Sequence, residues 1–577
     1  MKYASLTQEI YSRIFATTFV VQIVATLSFF LDFIIPGSFL GEDALSAITL
    51  TMPLVILMQA FTDMVAMGGS NAFSVEVGAG NLEKAYRYFT ATMAGAFLIG
   101  ALLVILGQLV LNPLVLLLGA DEELFEMTRQ VTCVSLFFFL VMPAYMTFEF
   151  FVRNDGQIKL AMISNIVFIV FNVLLNIYFV GYTAIGVAGA PLASITSVVL
   201  GMLVLLVALF QKDTTLRLTW KARPADFFYV MHAGSGLTFK QIYQGITTMI
   251  FNNLLMRYFG GEGVVIFTVI VNVQALMVGV FSSIRETIQP IVGTYVGEKH
   301  MHGIRETMHL AAYTGILFCL VCGAFLEWMP KEYLHIFGIY DPVVLQLTKE
   351  AVEIYAWGFP VLCFTEVMSS YYQFIGYPGM TFQILTMKGL VLLLPVSAMG
   401  IWLGGLNGLW YGFILTEVIS TFLCIGLARW KALQAEIQLS NFFLLEKDGL
   451  DRLYLEMPAE EKLLLDSRLT VDEFLQKRNV PDKQRNSVRL AIEELGMNLV
   501  QNNQEQANCR VELQLQVQPE MVTLLLRDNG QSFDTEGAEK HLSVHQFGLR
   551  MVHSVADELS YVPTIGYNRT LLTFHMT

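Results

Sequence analysis

Long apolar runs fill the first three-quarters of the chain, and a strict alternation of apolar and polar residues appears only in the last quarter. Twelve runs lie near the roughly 20 residues that a helix needs to cross a bilayer. They are placed at 15–37, 46–70, 88–111, 130–152, 160–180, 186–210, 236–259, 264–296, 308–328, 350–374, 382–402 and 407–430. The first follows the short polar stretch 1–11 without a small-residue cleavage site, so it reads as a retained span and not as a signal peptide. Residues 508–518 and 521–527 then alternate at period two, which predicts a hairpin with one buried face. Helices are expected over 459–478, over 482–503 behind Pro481, and over 547–557, with strands at 558–562 and 570–576. The fold class predicted is a polytopic α-helical membrane protein of twelve spans in two six-helix repeats, followed by a C-terminal α/β sandwich. Its divisions are a first lobe at 1–220, a second lobe at 221–435, a linker at 436–450 and the sandwich at 451–577.

Composition sharpens this partition. The 577 residues are 55% hydrophobic and 14% charged. Residues 1–439 hold 48 charged residues, about 11%, whereas residues 440–577 hold 35, about 25%, the value usual for a soluble domain. The net charge of −13 divides into −6 and −7, so neither part has the basic balance of a nucleic-acid binder. Six cysteines in a chain of this length do not make a disulfide scaffold. Basic residues set the orientation. With the N-terminus in the cytoplasm, the inner loops carry Lys84, Arg87, Arg153, Lys159, Lys212, Arg217, Lys221, Arg223, Lys299 and Arg305, while the outer loops near 38–45, 181–185, 260–263 and 403–406 carry none. An even number of spans returns the charged tail to the cytoplasm of a cell bounded by this inner or plasma membrane.

The membrane part repeats itself. At a shift of 219 residues, Gly41, Gly78, Gly119, Gly181, Gly186 and Gly189 fall on Gly260, Gly297, Gly338, Gly400, Gly405 and Gly408. Composition alone predicts roughly one such coincidence. Two halves of six spans, each returning to its starting side, are parallel repeats, and transporters commonly place the substrate path between such halves.

A charge at the centre of a membrane helix costs about 2.5–3.5 kcal/mol on insertion scales, so each asks for a reason. Asp32 stands in span one with nothing basic near it in sequence, and a desolvated carboxylate there can carry a proton or bind Na⁺. Glu149 and Glu366 each follow a proline by six residues, at equivalent places in the two halves. Asp63 lies in span two. Arg285 and Glu286 read as a structural pair, Lys388 as a snorkelling lysine, Cys319 and Cys322 as packing residues, and His300 and His302 as solvated loop residues.

Residues about 10–435 resemble the MATE family of multidrug and toxic-compound extrusion transporters, in its MepA-like bacterial branch. The likeness rests on Leu31-Asp32-Phe33, Phe39-Leu40-Gly41, Val77-Gly78-Ala79-Gly80-Asn81 and Leu118-Gly119-Ala120-Asp121. It continues in the stretch 152–162, in Asn172-Val-Leu-Leu-Asn176 and in Gly186-Val-Ala-Gly-Ala-Pro-Leu-Ala-Ser194, then in Gln289-Pro-Ile-Val-Gly293 and Phe374-Ile-Gly376. The resemblance implies export of organic cations or other xenobiotics driven by inward Na⁺ or H⁺, with Asp32, Asn172, Asn176 and Ser194 in the cation-handling cluster. The family usually has Asp where this chain has Asn176, which leaves the coupling ion open.

Three short motifs mark the tail. Glu494 and Asn498, at i and i+4, share a helix face, where a carboxylate can activate a hydroxyl and an amide can complete a Mg²⁺ shell. Asp528-Asn529-Gly530 follows a strand. Gly548 opens a helix whose N-terminus suits phosphate. In this order, within Glu493-Glu-Leu-Gly-Met-Asn498, Asp528-Asn-Gly-Gln-Ser-Phe-Asp534, Phe547-Gly-Leu-Arg-Met-Val552 and Asp557-Glu-Leu-Ser-Tyr561, they resemble the GHKL (Bergerat-like) ATPase fold, and within it the serine-kinase-like anti-sigma-factor domains. That resemblance implies Mg-ATP, with Glu494 as general base, Asn498 on Mg²⁺, Asp528 on adenine, and Gly530 and Gly548 around the nucleotide. It also implies a partner protein in the cytoplasm, of the STAS or anti-anti-sigma type or another. The 535–547 segment is short for a phosphate lid, and Arg550 stands where a second glycine is common, so binding without turnover stays open beside ATPase or serine-kinase activity. The tail has no Gly-x-x-x-x-Gly-Lys-[Ser/Thr] loop, which points to regulation and not to a transport motor. The reading is a Na⁺- or H⁺-driven multidrug antiporter with an ATP-binding regulatory domain. Its alternatives are a flippase for lipid-linked or polysaccharide cargo and a receptor signalling through the tail.

Overall fold

The computed structural model of the protein describes residues 5–211, 214–328, 342–440, 442–446, 452–503, 509–531 and 551–576. Among the described residues, twelve long helical segments form the membrane part, at 6–40, 42–78, 82–109, 125–154, 158–182, 186–210, 224–259, 261–297, 301–328, 342–374, 378–403 and 406–435, each overlapping one expected span, with the short helix Leu111–Leu117 between the third and fourth. Sharp turns between consecutive segments fall on residues in the left-handed region. Gly41 (φ 85°) and Gly260 (φ 66°) are equivalent in the repeat, as are Gly186 (φ 66°) and Gly405 (φ 60°). Gly156 and Gly376, both at φ 89°, make a further pair at a shift of 220. At these positions the paired glycines therefore mark shared backbone geometry, because an L side chain is disfavoured there.

The halves meet most closely where span two crosses spans seven and eight. A Cβ on Gly78 would lie 2.1 Å from the Thr294 carbonyl oxygen, and one on Gly297 would lie 2.0 Å from that of Val75. Only glycine lets the two backbones touch at this end. The same end carries the tail, so it is called the tail side.

Two short strands, β1 (Gln438–Leu439) and β2 (Leu445–Glu446), form a small hairpin against span ten, where Tyr371 Oη donates to the Leu445 carbonyl and Tyr372 Oη to that of Phe443. Beyond it stands a five-stranded antiparallel sheet in the order β3-β4-β5-β7-β6, built from β3 (Arg452–Pro458), β4 (Arg510–Val517), β5 (Met521–Asp528), β6 (Glu558–Tyr561) and β7 (Asn568–His575). The helices Glu461–Gln476 and Asp482–Asn502 cover one face. Their Leu464, Val471, Leu475, Val488, Ile492 and Leu495 pack on Val511, Leu513, Val522, Leu524, Leu572 and Phe574. The edge strand β3 has no counterpart among the expected elements.

The other face departs from expectation. The hairpin β4–β5 was expected to bury one face, yet its polar face is buried too, with Glu512 and Arg527 each 2% exposed. That face rests on the tail side of the membrane part. The strand register aligns Glu456, Glu512, Arg527 and Arg569 in one row across four strands. The row meets Glu298, just past the end of span eight: Arg527 pairs with it, and Arg569 Nε lies 3.2 Å from its carboxylate. Arg569 also donates to the Gly78 carbonyl at 2.8 Å, so one guanidinium touches both halves at their crossing. Arg13 donates to the Ile565 carbonyl at 2.9 Å, Asn529 Nδ2 to Glu9 at 3.2 Å, and the Leu6 amide to Glu456 at 2.8 Å. His300, read from sequence as a solvated loop residue, is 1% exposed and pairs with Glu512, while His302 stacks on Tyr454. Sequence hides this because the partners lie more than 150 residues away.

Candidate functional site

A cavity of about 790 Å³ lies between the two halves, lined mainly by the first half and by spans seven and eight of the second. Asp32, Asn172 and Ser194 line it, and the sequence-expected cluster assembles there: Asn176 Nδ2 donates to Asp32 Oδ1 at 3.1 Å, Asn172 Nδ2 donates to Ser194 Oγ at 2.8 Å, and Ser28 Oγ donates to Asn172 at 3.3 Å. Successive turns of span five carry both asparagines to one face at i and i+4. Asn176 Oδ1 is buried with no hydrogen-bond partner among the described residues. An amide oxygen beside a carboxylate is the donor set a hard cation or a shared proton takes.

Asp63 lines the same cavity and is also held by amides. Gln59 Nε2 donates to it at 3.0 Å and Gln241 Nε2, from the second half, at 2.8 Å. Glu149 and Glu366 are held differently. Glu149 lies 3.5 Å from Arg153 and accepts from Asn165 Nδ2 at 3.3 Å. Glu366 pairs with Lys240 at 2.6 Å and Lys388 at 3.3 Å beside a separate cavity of about 120 Å³ in the second half. Lys388 does not snorkel: it is buried between Glu366 and Glu417, the latter 3.0 Å away, because two acids from neighbouring spans offer what water would. Nor do Arg285 and Glu286 pair. Adjacent residues on a helix point about 100° apart, and Glu286 turns to Arg153 at 2.8 Å and Gln22 at 2.6 Å. Gln59, Gln241, Lys240 and Glu417 went unremarked in the sequence, since only the fold gives each its partner.

In the tail, Asp528 ends β5 on the helix-covered face. Its Oδ1 accepts from Asn568 Nδ2 at 2.7 Å and from the Gly530 amide at 2.9 Å, while Oδ2 is buried with no partner among the described residues. Burial pushes this carboxyl up to about 6, against the lowering effect of those two hydrogen bonds. An ionised, unpaired acceptor in a buried position fits the exocyclic amino group of adenine. Asn498 is buried on the helix Asp482–Asn502, with Oδ1 accepting from Asn502 at 2.7 Å and keeping a second lone pair, and Glu494 is half-buried one turn earlier. Gly530 lacks a Cβ where one would lie 2.6 Å from Asn503 Nδ2, so the turn presses on the helix. Asn503 and Asn568, both missed from sequence, hold that turn, with Asn503 Oδ1 accepting from the Gln531 amide at 2.8 Å. Gly548 and the start of the helix expected at 547–557 lie outside the described residues; 551–555 are helical.

Comparison with known proteins follows these two regions. Residues 18–178 and 237–399 match the MatE family, and residues 457–574 match the histidine kinase-like ATPase domain. Similar curated proteins include the probable multidrug resistance protein YoeA of Bacillus subtilis, 26% identical over 185 residues, 31% of this chain and 40% of that one. The chain thus spans well under half of the first of its curated relatives. The multidrug export protein MepA of Staphylococcus saprophyticus is 21% identical over 66% of this chain and 84% of its own. A protein of Shewanella oneidensis named FAD transporter is 20% identical over 68% and 87%. Among solved structures, a MOP superfamily transporter from Pyrococcus furiosus, described as having a binding pocket of reverse polarity, aligns with TM-score 0.69 at 19% identity over 75% of this chain and 97% of that one. A MATE structure in a straight conformation aligns with TM-score 0.70 at the same identity and coverage.

Proposed function

The chain belongs to the MatE family, and from that premise we propose that it is a cation-coupled exporter of organic cations and other xenobiotics, regulated by an ATP-binding tail. Asp32 carries the coupling H⁺ or Na⁺. The observation behind this is its setting: a cavity carboxylate held by the amide of Asn176, whose own oxygen is buried and unpartnered, with no base paired to it among the described residues. Glu149 and Glu366 already have basic partners and tune the field around the path. Four cavity carboxylates, Asp32, Asp63, Glu149 and Glu286, against Arg153 and Arg285 favour a cationic group over the anionic cargo of a flippase.

In the tail, Asp528 takes the adenine, Asn498 holds Mg²⁺ and Glu494 stands as general base, with Gly530 at the turn. Bound ATP supplies phosphate charge and Mg²⁺; the chain's part is to place the adenine against Asp528. Alternation along β5 and β7 gives the reading its regulatory content. Asp528 and Asn568 face the nucleotide side, while their neighbours Arg527 and Arg569 face Glu298 and Gly78. A tail docked this way holds the two lobes closed at the end facing the cytoplasm, where both termini lie. In an alternating cycle that end must part to load substrate, so undocking gates loading.

The test is transport in liposomes with the tail outward. Uptake of a cationic dye must follow an imposed Na⁺ or pH gradient, lose that dependence with Asp32→Asn, and change in rate with Mg-ATP on the tail side. No gradient dependence refutes the antiporter; no ATP effect refutes the gate.

A further inference from the structure

Asp528 stands directly opposite Asn568 across β5 and β7. Asn568 is buried, and both ends of its amide are engaged. The nitrogen donates to Asp528 Oδ1 at 2.7 Å and reaches the carbonyls of Gly530 at 3.1 Å and Gln531 at 3.3 Å. The oxygen accepts from Tyr561 Oη, at the end of β6, at 2.7 Å. This orientation is forced. Turned the other way, the amide oxygen would face a carboxylate and two carbonyls, none of which can donate to it while Asp528 is ionised.

The consequence falls on Asp528. Asn568 and the Gly530 amide both donate to Oδ1, so among the described residues only Oδ2 is left open. A guanine edge carries N1–H and N2–H side by side, and a carboxylate takes that pair best with both of its oxygens. An adenine edge offers the N6 amino group beside an acceptor, and one oxygen satisfies it. A carboxylate with one oxygen spent therefore suits adenine and loses the two-point grip on guanine. Nor can Asn568 serve the O6 of guanine, because its two hydrogens are already shared among three acceptors.

We propose that Asn568 is a positioning residue that makes the tail choose adenine over guanine nucleotides by occupying one oxygen of Asp528, and that Tyr561 holds Asn568 in that role. This rests on reading the tail as a nucleotide site and adds to it what sets the base.

The experiment is calorimetry on the full chain in lipid nanodiscs, with Mg-ATP and Mg-GTP titrated separately at pH 8, where Asp528 is ionised. The parent should prefer ATP at least about tenfold. Asn568→Ala should narrow that preference by about tenfold, with ATP bound more weakly and GTP more tightly. Tyr561→Phe keeps the amide but removes its lock, and should narrow the preference in the same direction by about threefold. A merely structural role for Asn568 would weaken both nucleotides alike and leave their ratio unmoved, and that result overturns the proposal. An unchanged ratio with unchanged affinities overturns it too. If Asn568→Ala binds neither nucleotide, Tyr561→Phe decides, and a parental ratio in that variant overturns the proposal. Equal binding of ATP and GTP by the parent overturns this inference and leaves the nucleotide site standing. Binding of neither by the folded parent overturns the nucleotide reading itself, and this inference with it.

Discussion

Replacing Glu298 with Gln is the most direct way to ask what holds the tail to the lobes. The Glu298 side chain is fully buried and receives two guanidiniums whose side chains are 3% and 1% exposed. Removing its charge leaves Arg569 with no carboxylate among the described residues, and leaves Arg527 only Glu512 at 3.3 Å. Breaking a buried pair from one side costs about 3–5 kcal/mol, because the remaining charge stays desolvated. The tail has a way out: undocking puts both arginines in water. Against undocking stand contacts such as Arg13 to Ile565, the Leu6 amide to Glu456 and Asn529 to Glu9, each worth roughly 0.5–1.5 kcal/mol, or more where a charge is involved. The lost node is therefore comparable to two or three of them together, and its loss shifts the docking equilibrium by about 10²–10³-fold toward release. A reporter cysteine in place of Gln516 reads this. Gln516 lies on the docked face, 6% exposed, and its Nε2 has no hydrogen-bond partner among the described residues, so the replacement disturbs little. Its labelling by a hydrophilic maleimide should be slow in the parent and about a hundredfold faster with Glu298→Gln. Glu298 is not part of the tail's own sheet and helices, so nucleotide binding is a control for their integrity. Unchanged labelling with an intact tail refutes the claim that the buried node secures the docked state.

Three further outcomes are expected. Because the ionised Asp528 is the form that accepts from adenine, ATP affinity should fall as pH drops through about 6, nearing tenfold per unit below it, and Asp528→Asn should bind weakly with a flat pH profile; calorimetry on the full chain checks both. Asp32→Asn should keep dye binding within a fewfold yet uncouple transport from the gradient, read as dye flux with and without an imposed gradient. Glu366→Gln should lower the thermal stability of the membrane part, because it leaves Lys240 unpaired and Lys388 with Glu417 alone, at a cost of about 3–5 kcal/mol; a melting curve identical to wild type argues that water reaches these lysines.

Apolar run length was enough to locate the spans, since a bilayer imposes one length on every crossing helix. Gly41 and Gly260 exposed the repeat because left-handed backbone at a sharp turn selects one residue type. Asn172, Asn176 and Asp32 came together as expected, two of them lying a helix turn apart. The partners of Lys388 and Glu286 were not legible, because pairing within a bundle depends on rotation about helix axes and sequence spacing does not report it. The polar face of β4 misled for a related reason. Alternation of apolar and polar residues is the signature of a sheet with one face in water, and Glu512, Gln514 and Gln516 satisfy it while facing a second polar surface.

That second surface changes how the two families in one chain are understood. A tail tethered at residue 435 by a flexible segment would sense nucleotide without any grip on transport. Here the hairpin β1–β2 packs on span ten, and the charged row of the sheet straddles the glycine crossing of spans two and eight. A ligand shifts such an equilibrium only by its differential affinity for the docked and released tail. The structure supplies a source for that difference: Asp528 and Arg527 are consecutive on one strand, as are Asn568 and Arg569 on the next. If adenine binds against Asp528 as proposed, a movement of either strand that accommodates it carries a guanidinium on the far face with it. A change of one ångström there is enough to matter, because Arg569 reaches Glu298 at 3.2 Å and Gly78 at 2.8 Å at once, and such a displacement would weaken both contacts together. To move the tail from mostly docked to mostly released, nucleotide must favour one state by about 5.5 kcal/mol, close to the worth of the Glu298 node itself. Under the proposed coupling, nucleotide acts on the path by disturbing that one node.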